Sequence, residues 1–195
     1  CEDICKKFAP KGEKVLVHIS NFRSVKRVPD VIKIFNEVQK KIPSKLILVG
    51  DGPERSNCEM LVRELGLQKS VKFLGKQLEL VPILSSADLF LMPSQSESFG
   101  LSALEAMACG VPVISSSVGG LPELQVHGET GYIAEIGDID RMARYAIDLL
   151  TNESKHTLFS EAARRRAIEF DVHKIVAQYE AYYELCLDTE YARRN

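Results

Sequence analysis

The chain is expected to fold as an α/β domain: a parallel sheet with helices on both faces and further helices at the C-terminal end. Three observations point there. Strand-length apolar runs alternate with segments of helical period from Val15 to about Ala108. The runs are dense in Val, Ile and Leu, as strands buried on both faces are. Glycine-bearing breaks separate the segments, at Gly50-Asp-Gly-Pro53, Gly66 and Gly119-Gly120. With 195 residues there is room for one domain with a sizeable core and too little for two.

Taken in order, Val15 to Ile19 reads as the first strand and Leu46 to Val49 as the second. Between them Val31, Ile34, Phe35, Val38 and Ile42 make a helical stripe with Asp30 ahead as its cap. Cys58, Leu61, Val62 and Leu65 form the next helix face, stopped by Gly66. Strands recur at Val71 to Leu74, Ala87 to Met92, Val111 to Ser115 and Gly131 to Ile133, with helical segments at Glu79 to Ser86 and Phe99 to Ala108. Behind Asp138 a stripe of Ile139, Met142, Ala143, Ala146, Ile147 and Leu150 marks another helix. Glu153 to Glu169 follows, with Arg164-Arg-Arg166 on its solvated side. A last helix carries Val172, Ile175, Val176, Tyr179, Tyr182, Tyr183 and Cys186 on a wide face that reads as core or interface rather than a ligand box. The architecture is Rossmann-like: residues 1–14 read as a linker, 15–187 as the domain and 188–195 as a tail.

A net charge of −2 offers no broad basic field for nucleic acid or an anionic membrane. The longest apolar stretches are strand-sized and cannot span a bilayer. Cys1 to Lys7 holds two acids and no apolar core, unlike a signal peptide. The five cysteines include no C-x-x-C pair and no completing histidines, which suits free thiols in a reducing cytoplasm rather than a zinc site.

In open parallel sheets ligands bind beyond the carboxyl ends of the strands, so the loops there carry the chemistry. Ser20 to Arg27 sets three cations after a buried strand and suits either an anion site or a solvated basic loop. Gly50 to Pro53 and Gly119 to Glu123 are Gly-rich and let a backbone approach a ligand or a neighbouring loop. The sharpest segment is Pro93 to Gly110, where a strand end leads through a polar loop into a helix expected from about Ser98. The first N–H groups of such a helix are a ready phosphate seat. Glu97 stands at its mouth and Glu105 eight residues on, which on a helix is on the order of 12 Å. That spans a sugar, a diphosphate and a ribose, and each carboxylate accepts two hydroxyl hydrogen bonds.

These residues resemble the C-terminal domain of family-4-type retaining glycosyltransferases of the GT-B fold. The likeness rests on Glu97-x7-Glu105 with its Ser98-Phe-Gly-Leu101 turn, Glu105-Ala-Met-Ala-Cys-Gly-Val-Pro-Val113, Gly119-Gly-Leu-Pro-Glu123, His127-Gly-Glu-Thr-Gly131, Leu48-Val-Gly-Asp-Gly-Pro53 and Val71-Lys-Phe-Leu-Gly75. It covers Val15 to about Leu187. The resemblance implies that Glu97 contacts donor-sugar hydroxyls and, with Lys26, acts in catalysis. Lys26 would bind the diphosphate and Glu105 the ribose. Ser98 would join the donor site, with Phe99, Gly100 and Leu101 offering backbone N–H groups. Gly75, Lys76 and Gln77 would lie along the nucleobase. Asn21 stands where the family usually has arginine, with Arg23 displaced by two positions as its substitute.

Within the family, Ile19 to Val28, Phe73 to Gln77 and Lys174 to Glu180 are similar to the branch that transfers N-acetylglucosamine from UDP-N-acetylglucosamine to L-malate in bacillithiol biosynthesis. The resemblance implies a UDP-sugar donor, no metal or other cofactor, and an N-terminal acceptor domain without which this half is inactive. A homo-oligomer is a further expected partner. The rival readings are a family member with a polysaccharide or lipid acceptor, and a nucleotide-sugar-binding module without chemistry.

Overall fold

Six parallel strands form one sheet among the described residues, 7–194 for the backbone and 7–187 for side chains, of a computed structural model. They are β1 Lys14–Ile19, β2 Ser44–Val49, β3 Val71–Gly75, β4 Leu89–Met92, β5 Val113–Ser116 and β6 Gly131–Ala134. The helices are α1 Val28–Gln39, α2 Arg55–Glu64, α3 Val81–Leu84, α4 Leu101–Ala108, α5 Leu121–Leu124, α6 Ile139–Thr151, α7 Glu153–Ile168 and α8 Val172–Arg194. Cys1 and Cys5 lie outside the described residues.

The strand order is β3-β2-β1-β4-β5-β6. The chain winds outward from β1 through β2 to β3, then crosses to β4 on β1's other side and winds outward again. The carboxyl ends of β1 and β4 therefore flank a topological switch point, where the diverging loops open a crevice. Alternation along each strand feeds two cores. Leu16, Leu48, Leu91 and Ile114 meet α1, α2 and α6 on one face, while Val17, Val49, Phe90 and Val113 meet α3, α4 and α7 on the other. Burial on both faces is why the strands read as unbroken apolar runs.

Several boundaries differ from expectation for local reasons. Helix α1 starts at Val28 with Pro29 in its first turn and Arg27 as N-cap at φ 50°. Asp30 is therefore inside the helix, a buried acid accepting a 2.6 Å bond from Arg27 Nε. Strand β4 starts at Leu89, not Ala87, because the Asp88 carboxylate turns aside to accept Val15 N–H at 2.7 Å. Helix α3 is a single turn opening on Pro82. Asp138 does cap α6, accepting Arg141 N–H at 3.1 Å. On α7, Arg164 and Arg165 are solvated, but Arg166 donates to the carbonyls of Glu123 and Leu124 and ties α7 to α5. The α8 face is no core: Val172, Val176, Tyr179, Tyr182 and Tyr183 are all exposed.

Candidate active site

Two loops face each other across the switch point. The first leaves β1, turns at buried Phe22 (φ 40°), forms a 3₁₀ turn at Ser24–Lys26 and enters α1. A positive φ strains a bulky residue, so this path needs external support. His18 supplies part of it from below. Fully buried, its Nδ1 lies 2.8 Å from the Leu91 carbonyl and its Nε2 2.9 Å from Ser20 Oγ. A carbonyl only accepts, so Nδ1 carries the proton and Nε2 accepts from the Ser20 hydroxyl. Desolvation pushes the His18 pKa down to about 4, against the opposing Leu91 hydrogen bond, so the ring is neutral. Ser20 Oγ in turn accepts Phe22 N–H at 3.3 Å.

The Gly-rich loops turn out to brace the functional loops. A Cβ on Gly50 would lie 1.7 Å from the Ser20 carbonyl oxygen, and one on Gly52 2.0 Å from that of Asn21. On the other side, a Cβ on Gly119 would lie 1.6 Å from the Glu97 carbonyl oxygen, and Gly120 N–H donates to Ser98 O at 3.2 Å. The glycines admit loop against loop. A cross-tie from Gln95 N–H to Val25 O, 2.7 Å, joins the two functional loops directly.

Across this braced crevice Lys26 Nζ meets Glu97 Oε1 at 2.6 Å, with side chains 21% and 8% exposed. Ser94, fully buried, donates to the same oxygen at 2.9 Å. Helix α4 begins at Leu101, later than expected, because Gly100 takes φ 95° and holds Ser98 and Phe99 in the loop. The stretch from Glu97 to Glu105 is thus part turn and part helix, and the 12 Å helical spacing does not apply. No side chain caps α4, so its positive end faces the crevice open to an anion. Glu105 lies on α4 at the cavity's edge, exposed and without a side-chain partner among the described residues. Its carboxyl is still crowded enough for desolvation to push its pKa up.

A cavity of about 430 Å³ gathers most of the expected residues: Asn21, Lys26, Glu97, the Ser98 to Leu101 turn and Glu105. It does not include Arg23, Gly75, Lys76 or Gln77. Arg23 is exposed at the head of the 3₁₀ turn, its guanidinium without a partner among the described residues. Gly75 accepts Gly50 N–H, and Gln77 folds back to donate to Leu74 O at 2.8 Å. Residues unforeseen from sequence are Ser20 and Ser102 in the lining, with His18 and Ser94 behind it. Their signal is faint, since a serine or histidine at a strand end looks like any other. A neighbouring cavity of about 510 Å³ is apolar, lying between Phe99, Leu101 and Leu104 on one side and Val172, Ile175 and Tyr179 of α8 on the other. The Asp-x-Asp spacing that could suit a divalent cation occurs at Asp138-Ile-Asp140, but Asp138 is consumed in capping α6 and pairing with Arg141.

The chain that forms this crevice matches known proteins. The family model described as glycosyl transferases group 1 covers residues 2–166. This chain belongs to that family. It is 49% identical to N-acetyl-alpha-D-glucosaminyl L-malate synthase of Bacillus anthracis, over 91% of this chain and 47% of that protein. It is 34% identical to D-inositol 3-phosphate glycosyltransferase of Mycolicibacterium smegmatis, over 89% and 41%. Among solved structures, the Anabaena protein HepE in complex with UDP and glucose superposes with a TM-score of 0.86 at 26% identity, over 94% of this chain and 51% of that one. The GT-B likeness read from the motifs is thereby borne out for the fold. The chain spans about half the length of these proteins or less.

Proposed function

We propose that this chain is the donor-binding half of a retaining glycosyltransferase that moves N-acetylglucosamine from UDP-N-acetylglucosamine to L-malate. The observation that carries the reading is the Lys26–Glu97 pair at the open end of α4, inside the switch-point cavity. The likeness to the malate synthase supports the particular sugar and acceptor. In this reading the diphosphate takes Lys26 and the first N–H groups of α4, the ribose takes Glu105, and Oε2 of Glu97 accepts from sugar hydroxyls. The charge gathering on the departing UDP is met by the Lys26 ammonium and the helix end, so no metal is called for. Gly75, Lys76 and Gln77 border the base, and Asn21 and Arg23 the phosphates. The base and Arg23 assignments need side chains to move from their present positions.

An N-terminal half would bring the acceptor. The exposed apolar face of α8, with the cavity beside Leu101 and Leu104, is the surface we assign to it, a second copy being the alternative occupant. Among the described residues no helix is long and apolar enough to cross a membrane. Cys58, Cys109 and Cys186 are unpaired, which favours the cytoplasm. The test is the two-half protein given UDP-N-acetylglucosamine and L-malate. We expect malate-dependent UDP release and an α-linked product. Turnover with a polysaccharide or lipid instead overturns the acceptor, and binding without turnover on any acceptor leaves a nucleotide-sugar-binding module.

A further inference from the structure

We infer that Ser94 is a positioning residue for donor-sugar recognition, acting through Glu97. The inference rests on the reading of the site given above. Glu97 Oε1 is held twice, by Lys26 Nζ at 2.6 Å and by Ser94 Oγ at 2.9 Å, while Oε2 has no partner among the described residues. The two bonds differ in durability. A diphosphate entering the cavity competes for the Lys26 ammonium, because its two negative charges, spread over several accessible oxygens, are a stronger partner than a single carboxylate oxygen. It has no such claim on Ser94, whose hydroxyl is fully buried and whose one proton already points to Oε1.

Ser94 is itself fixed. The Ser116 hydroxyl donates to its carbonyl, and the next residue, Gln95, donates to Val25 O at 2.7 Å. The Glu97 main chain cannot slip either, since Gly119 packs directly on its carbonyl oxygen. Once Lys26 has turned to the phosphate, Ser94 is the remaining hold on the Glu97 carboxylate. It keeps Oε1 turned inward and Oε2 presented to the sugar. A carboxylate 8% exposed that lost both partners would rotate toward water or another donor, and hydroxyl recognition would be lost with it.

Ser94 should therefore matter for ligands that carry a sugar and be nearly silent for those that do not. The test compares calorimetric affinities of this chain for UDP and for UDP-N-acetylglucosamine in wild type, Ser94→Ala, Glu97→Ala and the double variant. We expect Ser94→Ala to weaken UDP-N-acetylglucosamine roughly tenfold and UDP less than twofold. In the Glu97→Ala background, Ser94→Ala should change neither ligand further. Equal weakening of both ligands, or full additivity with Glu97→Ala, would show Ser94 to be a fold element only and overturn the inference. If Glu97→Ala does not discriminate the two ligands, the sugar-contact reading of the site fails instead. Should Ser94→Ala not fold, Ser94→Cys keeps the volume while weakening donation, and must show the same ligand selectivity.

Discussion

Glu97 lies in the crevice, 8% exposed, with one oxygen tied to Lys26 and Ser94 and its backbone pinned by Gly119. Glu105, one turn into α4, is exposed and without a side-chain partner among the described residues, its pKa pushed up by partial desolvation. The two acids bound the same cavity, yet one is ion-paired before any ligand arrives and the other is not. In the proposed reading, donor binding is an exchange at the first end and an addition at the second. At the Glu97 end a phosphate would replace a carboxylate on Lys26, so much of the electrostatic gain would cancel against the lost ion pair. At the Glu105 end every hydrogen bond formed is new. We therefore expect the braced end to govern geometry and the open end to supply affinity.

The braced end can be broken from beneath, where the largest effect is expected. His18 holds Ser20 and, through it, the turn at Phe22, and does so as a neutral ring with its pKa down at about 4. An unfolded histidine has its ordinary value of 6.5, so between pH 6.5 and about 4 the unfolded chain gains a proton that the folded chain refuses. Stability must fall as pH drops through that window, by roughly 3 kcal/mol if the whole shift is expressed. Urea unfolding at pH 7 and pH 4.5 measures it, with His18→Gln as the comparison. The variant should start less stable and lose less on acidification. Parallel losses in the two proteins would mean that His18 is not the neutral brace described.

The open end gives a smaller and more selective effect. Glu105→Gln keeps shape and removes charge, so UDP affinity should fall by roughly 1.5–3 kcal/mol while pyrophosphate binding barely changes. Its effect on folding has the opposite sign. An acid whose folded pKa is raised adds stability only below its unfolded pKa, and that contribution is lost as pH rises through the folded value. At neutral pH the ionised carboxylate is thus a small burden, and the glutamine variant should melt no lower than wild type. Calorimetry with both ligands and a thermal melt decide it. A lower melting temperature with equal loss of both ligands would make Glu105 a structural residue.

The same contrast shows what could be read from sequence. The open parts were legible: unbroken apolar runs announced a sheet buried on both faces, and Glu97-x7-Glu105 announced two acids around a helix start. The braces were not, because they join residues far apart in the chain. Nothing in Val15 to Ile19 shows that the His18 ring reaches Leu91, and nothing near Pro93 shows Ser116 reaching the Ser94 carbonyl. The glycine loops were half legible. Their composition promised close backbone approach, but whether to a ligand or to a neighbouring loop depends on strand order, and it is the loop. Local propensity misled at helix starts. Asp30 looks like a cap until Pro29 moves the start back to Val28, and Ser98 looks helical until Gly100 takes a positive φ.

The smallest effect belongs to Arg23, which tests whether the exchange at the braced end involves one cation or two. It heads the turn that carries Lys26, three residues away, but its guanidinium is exposed and without a partner among the described residues, outside the cavity lining. An exposed guanidinium that must be ordered to reach a phosphate gains little net energy, because side-chain entropy and screening offset the attraction. Arg23→Ala should weaken UDP-N-acetylglucosamine binding by up to about 1 kcal/mol, and the difference should vanish in high salt. Lys26→Ala should cost more than Arg23→Ala and keep part of its effect in salt, since its ammonium lies within the crevice at 21% exposure. Arg27 is unsuited as a silent control, because its guanidinium is locked to Asp30 at 2.5 Å at the head of α1. Arg165, exposed on α7, serves instead. Calorimetry at low and high salt gives both numbers. If Arg23→Ala matches Lys26→Ala in size and salt response, Arg23 has taken the role of the arginine that Asn21 replaces, and the diphosphate is gripped by two cations. If Arg23→Ala binds as wild type at low salt, Lys26 alone exchanges partners, and the charge remaining on the diphosphate falls to the N-terminus of α4.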